Sequence, residues 1–174
     1  MSFYINNPSS CRPGGLHGNP LAGLCEKALI EVTKVFDACR RQTTEVGLEL
    51  NLSNFSPPAP ALPLTFISAT VNGTPVVSNV IIDRISQRPN FANVTATITI
   101  PMLVSYRDNN NVLGTAQSSI VVTETVVLFV PQPSETPISI TAFASFVPVS
   151  GTINESGQVA TVTGCLTIIL KVVA

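Results

Sequence analysis

Between residues 93 and 106 the even positions are apolar, Val94, Ala96, Ile98, Ile100, Met102, Val104 and Tyr106, while the odd positions include Asn93, Thr95, Thr97, Thr99 and Ser105. A period of two is that of a strand with one buried and one open face. The same rhythm returns at residues 159–173, where Ala160, Val162, Leu166, Ile168, Leu170 and Val172 form the apolar face. It returns at residues 46–52, where Val46, Leu48, Leu50 and Leu52 alternate with Gly47, Glu49 and Asn51. At residues 26–38 the apolar even positions are Ala28, Ile30, Val32, Phe36 and Ala38, with Lys34 the exception, and a strand is expected. A short helix is the alternative there, because Ala28, Leu29, Val32 and Phe36 also fall near helical spacing. Residues 120–130 and 138–149 add two more strands, the first apolar on both faces in its second half.

Turn chemistry divides these runs. Asn72-Gly73 lies between apolar runs at 64–71 and 76–82, and the positive φ angles that such a dipeptide accepts predict a hairpin there. Pro75 brings no N–H and marks an edge. Asp108-Asn109-Asn110-Asn111 ends the long strand in a turn, and Pro57-Pro58-Ala59-Pro60 reads as an extended crossing. About eight short strands predict an all-β, jelly-roll-like β-sandwich over residues 24–174. Residues 1–23, with Pro13, Gly14, Gly15, Gly18 and Asn19-Pro20, predict a flexible N-terminal connector arm whose apolar tip is Phe3, Tyr4 and Ile5.

Composition narrows the function classes. Charged residues make up 11% of the 174, against roughly 25% in ordinary soluble domains, while hydrophobic residues reach 45%. So little charge points to surface that is covered by neighbouring subunits. Unbroken aliphatic or aromatic runs such as 126–130 fall far short of the roughly 20 residues of a spanning helix, so membrane insertion is not expected. A net charge of −1, with basic residues single apart from Arg40-Arg41, offers no track for nucleic acid. The opening residues lack the basic and long apolar segments of a secretory signal, and an initiator-like Met1 favours synthesis without Sec export.

No catalytic constellation emerges, and neither an enzyme nor a cofactor is expected. The single histidine, His17, lies in the arm, where nothing rigid would hold a general base. Asp37, Cys39, Arg40 and Arg41 could be drawn as a thiol activated by cations, but a cross-link is the stronger reading. Acidic residues form no dyad, Pro13-Gly14-Gly15 is not followed by the lysine and helix of a phosphate loop, and the four cysteines lack metal-ligand spacing. Five Asn-x-Ser/Thr triplets, at Asn51, Asn54, Asn72, Asn93 and Asn154, arise readily in a Thr-rich chain and do not establish glycosylation.

The cysteines carry more information. Strand parity puts Cys165 opposite the apolar face of its strand, and Cys25 and Cys39 on the odd face with Lys27, Glu31 and Asp37, all three away from the core unless a bulge shifts the register. On one continuous strand Cys25 and Cys39 would stand about 46 Å apart. They could not pair, since a disulfide needs Cα atoms within roughly 7 Å. Cys165 then serves one of them, and the other is left for Cys11 on the arm or for another chain. Reduced thiols are the plainer alternative.

The segment Cys25-Glu26-Lys27-Ala28-Leu29-Ile30-Glu31-Val32-Thr33-Lys34-Val35-Phe36-Asp37-Ala38-Cys39 resembles the opening strand of small cysteine-containing coat proteins of spore-forming bacteria. The wider layout, a cysteine-bearing arm before a jelly-roll-like domain, is similar to endospore appendage pilins. The resemblance implies a pilus-like fibre in which each arm docks on the next subunit and disulfides weld the joint. Cys11 would be the arm cysteine, Pro13 to Gly18 the spacer, and Cys25, Cys39 or Cys165 its acceptors. It departs from that pattern in having one arm cysteine in place of an adjacent pair. It further implies a spore-surface or extracellular location, with disulfides forming after the mother cell has made the chain.

The expectation is therefore a self-assembling structural subunit, a homo-oligomer whose arm tip adds a strand to a neighbour or fills a groove on it. A carbohydrate-binding or adhesive module is the alternative, disfavoured because there is no Trp and only two Tyr to make a stacking platform. A viral capsid-type subunit is a third.

Overall fold

Eight strands form two antiparallel sheets: β1 (Val35–Asn51), β2 (Ser53–Ser56), β3 (Thr65–Val71), β4 (Val76–Ile85), β5 (Arg88–Arg107), β6 (Leu113–Phe129), β7 (Ser139–Ile153) and β8 (Val159–Val173). The structure, a computed structural model, describes residues 32–132 and 137–174. Thr33–Ala174 is one compact unit, and no helix occurs among the described residues. One sheet runs β1-β8-β7; the other runs β2-β6-β5-β3, with β4 also on β5. The expected all-β sandwich is the observed fold.

The core lies between the sheets. All seven even-numbered apolar residues of β5, from Val94 to Tyr106, are buried, and so are Ala160, Val162, Leu166, Ile168, Leu170 and Val172 of β8. These two central strands are where alternation was cleanest, because each is flanked by partners and has one face in the core. The odd face of β5 instead carries a hydroxyl ladder shared with β6, with Thr95 and Thr125 hydroxyls 2.9 Å apart and Thr97 and Thr123 hydroxyls 3.4 Å apart.

Aromatic rings reach this core by lying on glycines. A Cβ built on Gly114 would stand 2.5 Å from the Tyr106 ring, one on Gly151 2.7 Å from Phe66, and one on Gly164 2.5 Å from Phe146. Interior glycine in a strand weakens it unless something approaches closely, and here a ring does so each time.

The expected hairpin at Asn72-Gly73 is not formed. β3 pairs with residues 102–107 of β5 and β4 with residues 88–99, so β3 and β4 follow one another along the same side of one long strand. Gly73 takes φ +114° at the break, and the Asn72 N–H donates to the Pro101 carbonyl at 2.9 Å. The dipeptide thus kinks an edge without reversing the chain, because β5 is long enough to template both segments. The reversals are elsewhere: β4 turns into β5 after Ile85, and β5 into β6 at residues 108–112, where Asp108 Oδ1 accepts from the Asn110 and Val112 N–H groups. Asn154 Oδ1 does the same for Gln158 and Val159 between β7 and β8.

Residues 39–45, between two expected strands, belong to β1, which takes in residues 35–38 of the first and 46–51 of the second; residues 26–31 of the first lie outside the described residues and 32–34 are not strand. Arg40 to Glu45 are polar on both faces because β1 is an edge of its sheet, so no alternation announced them. The register shifts between Val35 and Asp37 and again between Glu45 and Leu48, where Gly47 takes φ +67°. Each bulge moves the following side chains to the other face.

One arginine closes the far end of the larger sheet. Arg84 Nη1 donates to the carbonyls of Pro89 and Val130, and Nη2 to that of Pro131, each at 2.9 Å. Lysine keeps the charge but cannot present this planar fork. Arg84→Lys is expected to lower stability by about 2 kcal/mol in chemical denaturation, the order of a lost hydrogen bond to a charged group.

Candidate assembly surface

β8 sits between β1 and β7, so its outward side chains form the centre of an open sheet face. Cys165 is one of them, opposite Thr44 of β1 and Val147 of β7. Its thiol is half-buried, with Gln42 Nε2 2.9 Å from Sγ. Val147, directly opposite, is 62% exposed, and elsewhere on β7 Phe143, opposite Ile169, is 53% and Val149, at the β7 register shift, 78%; Thr163 and Thr167 of β8, Gln42 and Thr44 of β1 and Ser145 and Ser150 of β7 make the rest of its surround polar. Val46, at the second bulge of β1, is 79% exposed.

Cys39 is placed differently from expectation. It stands opposite Leu170 and packs against the core, on the inner face of β1 with Arg41 and Thr43, which stand opposite Ile168 and Leu166. The bulge between Val35 and Asp37 is the cause, since it reverses the parity that residues 26–38 set. Asp37 also leaves the open face, its carboxylate accepting the Phe129 N–H of β6 at 2.7 Å. Arg41 pairs with Glu124 of β6 at 2.7 Å, and the Glu124 side chain is only 12% exposed. These two links join the edges of the sheets where no backbone ladder does. They also answer the idea of a cation-activated thiol: the Arg41 guanidinium on the Cys39 face is engaged by a carboxylate.

Cys39 and Cys165 therefore cannot bond within one chain. Cys165 stands opposite Thr44, five positions along β1 from Cys39, and on the other face. Five strand steps amount to about 16 Å, more than twice the roughly 7 Å a disulfide spans. Of the three ways to pair four cysteines, the one containing this bond is excluded.

The arm of residues 1–23, with Phe3, Tyr4, Ile5, Cys11, Pro13, Gly14, Gly15, His17 and Gly18, lies outside the described residues, as does Cys25. No group of His, Cys, Asp and Glu among the described residues could hold a metal ion.

With a half-buried thiol on an open sheet face, a likeness to some known assembly would decide the family. No match is found. Family models, curated proteins and solved structures all return nothing similar to this chain. No helix among the described residues is long and apolar enough to cross a membrane. What stands is the surface itself, whose apolar members were visible in the sequence but whose placement was not: Val147 stands opposite Cys165, and Phe143 opposite Ile169, only because β7 pairs with β8 in the observed register.

Proposed function

We propose that this chain is a structural subunit that assembles with copies of itself through the outer face of the β1-β8-β7 sheet, secured by the N-terminal arm and by disulfides. The observation that carries this reading is the outward, half-buried thiol of Cys165 opposite an exposed Val147, on the face that also exposes Phe143, both valine and phenylalanine more than half exposed. Cys165 is the favoured acceptor for Cys11 of a neighbouring subunit, because it faces outward while Cys39 faces the core. The resemblance of residues 25–39 to spore-coat proteins supports a pilus-like or coat assembly on a spore surface or outside the cell. The chemistry is structural, and no enzymatic step is assigned.

Negative-stain microscopy and light scattering of the full chain, with and without reductant, test this. Fibres or other large assemblies are expected, dispersing when residues 1–20 are deleted or when Val147→Glu places a charge on the face. Val147→Glu should leave the melting temperature nearly unchanged, since Val147 is 62% exposed. Soluble monomers under every condition would overturn the proposal.

A further inference from the structure

The outer face of the other sheet holds a built groove. Ser68 of β3 stands opposite Ser105 of β5, Ser105 opposite Thr115 of β6, and Thr115 opposite Ser56 of β2. Four hydroxyl residues thus form one row across four strands, a hydroxyl every ~4.8 Å, the scale of a pyranose ring. With Arg107, Ile67, Leu113, Tyr106 and Gly114 they line a concavity of about 470 Å³, within the range of small-ligand sites.

Two bulges shape it. The β3 register shifts between Phe66 and Ser68, so Phe66 packs on the core while Ile67 and Ser68 come to the outside; Ile67 is 47% exposed. The β2 register shifts between Ser53 and Ser56, with Asn54 at φ 48°. Bulges at both ends of one hydroxyl row curve the sheet around it, a device that recurs beside binding sites.

Charge selects the ligand. Arg107 makes no ion pair among the described residues, its guanidinium touching only the Asn111 amide oxygen at 3.3 Å. The adjacent Asp108 carboxylate is turned into its own turn, accepting from the Ala61, Asn110 and Val112 N–H groups. A guanidinium beside a row of hydroxyls suits a carboxylate joined to a polyol. We propose that this groove binds a short stretch of acidic polysaccharide, a hexuronate chain whose carboxylate meets Arg107 and whose hydroxyls meet Ser56, Ser68, Ser105 and Thr115. The recognition is by hydrogen bonds and charge, which is why it needs no aromatic platform. It is independent of assembly, since it uses the opposite sheet.

Isothermal titration of the full chain with trigalacturonic acid, with cellotriose as the neutral control, tests the proposal. Trigalacturonic acid is expected to bind one per chain, with affinity falling as salt rises, and cellotriose at least tenfold more weakly. Arg107→Gln should cost about tenfold, the order of one charge-assisted contact. Arg40→Gln, on the other sheet, should cost nothing. Absence of binding, equal binding of the neutral sugar, or equal losses in the two arginine variants would overturn it. Arg107 is exposed, so its variant keeps the fold, which a thermal melt verifies.

Discussion

Gly164→Val is expected to destabilise the domain by about 3 kcal/mol or more, and Gly164→Ala by about 1–3 kcal/mol. The Cβ position at Gly164 is 2.5 Å from the Phe146 ring and 2.6 Å from the Val147 carbonyl oxygen. A ring could turn aside, but the carbonyl belongs to the β7-β8 ladder and cannot move without opening it. Since β8 is the central strand of its sheet, the strain falls on both neighbours. Thermal unfolding should show a drop of roughly 10 °C for the valine variant. An unchanged melting temperature would mean that Phe146 does not lie on Gly164.

Tyr106→Ala should cost about 3–5 kcal/mol, the range for removing a large buried ring. Tyr106 is fully buried, meets Phe55 edge to face with centroids 5.8 Å apart, and lies over Gly114. Its hydroxyl has one long contact, to the Pro57 carbonyl at 3.5 Å, so Tyr106→Phe should keep most of the stability. The native chain and Tyr106→Phe differ in alkali. Burial, and secondarily the Asp108 carboxylate, raise the phenol above its ordinary pKa. Below about pH 10 the phenol is protonated in folded and unfolded chains alike. Above that the unfolded chain loses its proton first, so stability falls as pH rises through the folded pKa. Denaturation followed from pH 8 to 11 should show this decline in the native chain and a shallower one in Tyr106→Phe; equal slopes would contradict it.

Much of this architecture was legible from alternation. The even face of β5 and the apolar face of β8 are core residue for residue, because a central strand with one buried side leaves nothing else to decide its parity. Legibility failed at edges. Arg40 to Glu45 lie on β1 with no apolar rhythm to declare them, and a single bulge reversed the expected placement of Cys39. Asn72-Gly73 carried a strong local hairpin signal that the length of β5 overrode. The candidate surface was half legible: the outward direction of Cys165 followed from parity, whereas Val147 opposite it and Phe143 on the same face come from β7, whose register no local pattern sets. The hydroxyl row of Ser56, Ser68, Ser105 and Thr115 gave no signal in the chain at all, since its members come from four strands and two of them are positioned by bulges.

Cysteine mapping tests for bonds between copies. Chains labelled with 14N and with 15N are mixed while reduced, allowed to assemble and oxidise together, then digested without reduction and weighed. Linked peptides of mixed label, joining Cys11 of one chain to Cys165 of another, are expected. Links carrying a single label only, or four free thiols in the assembled state, would contradict the proposed cross-link.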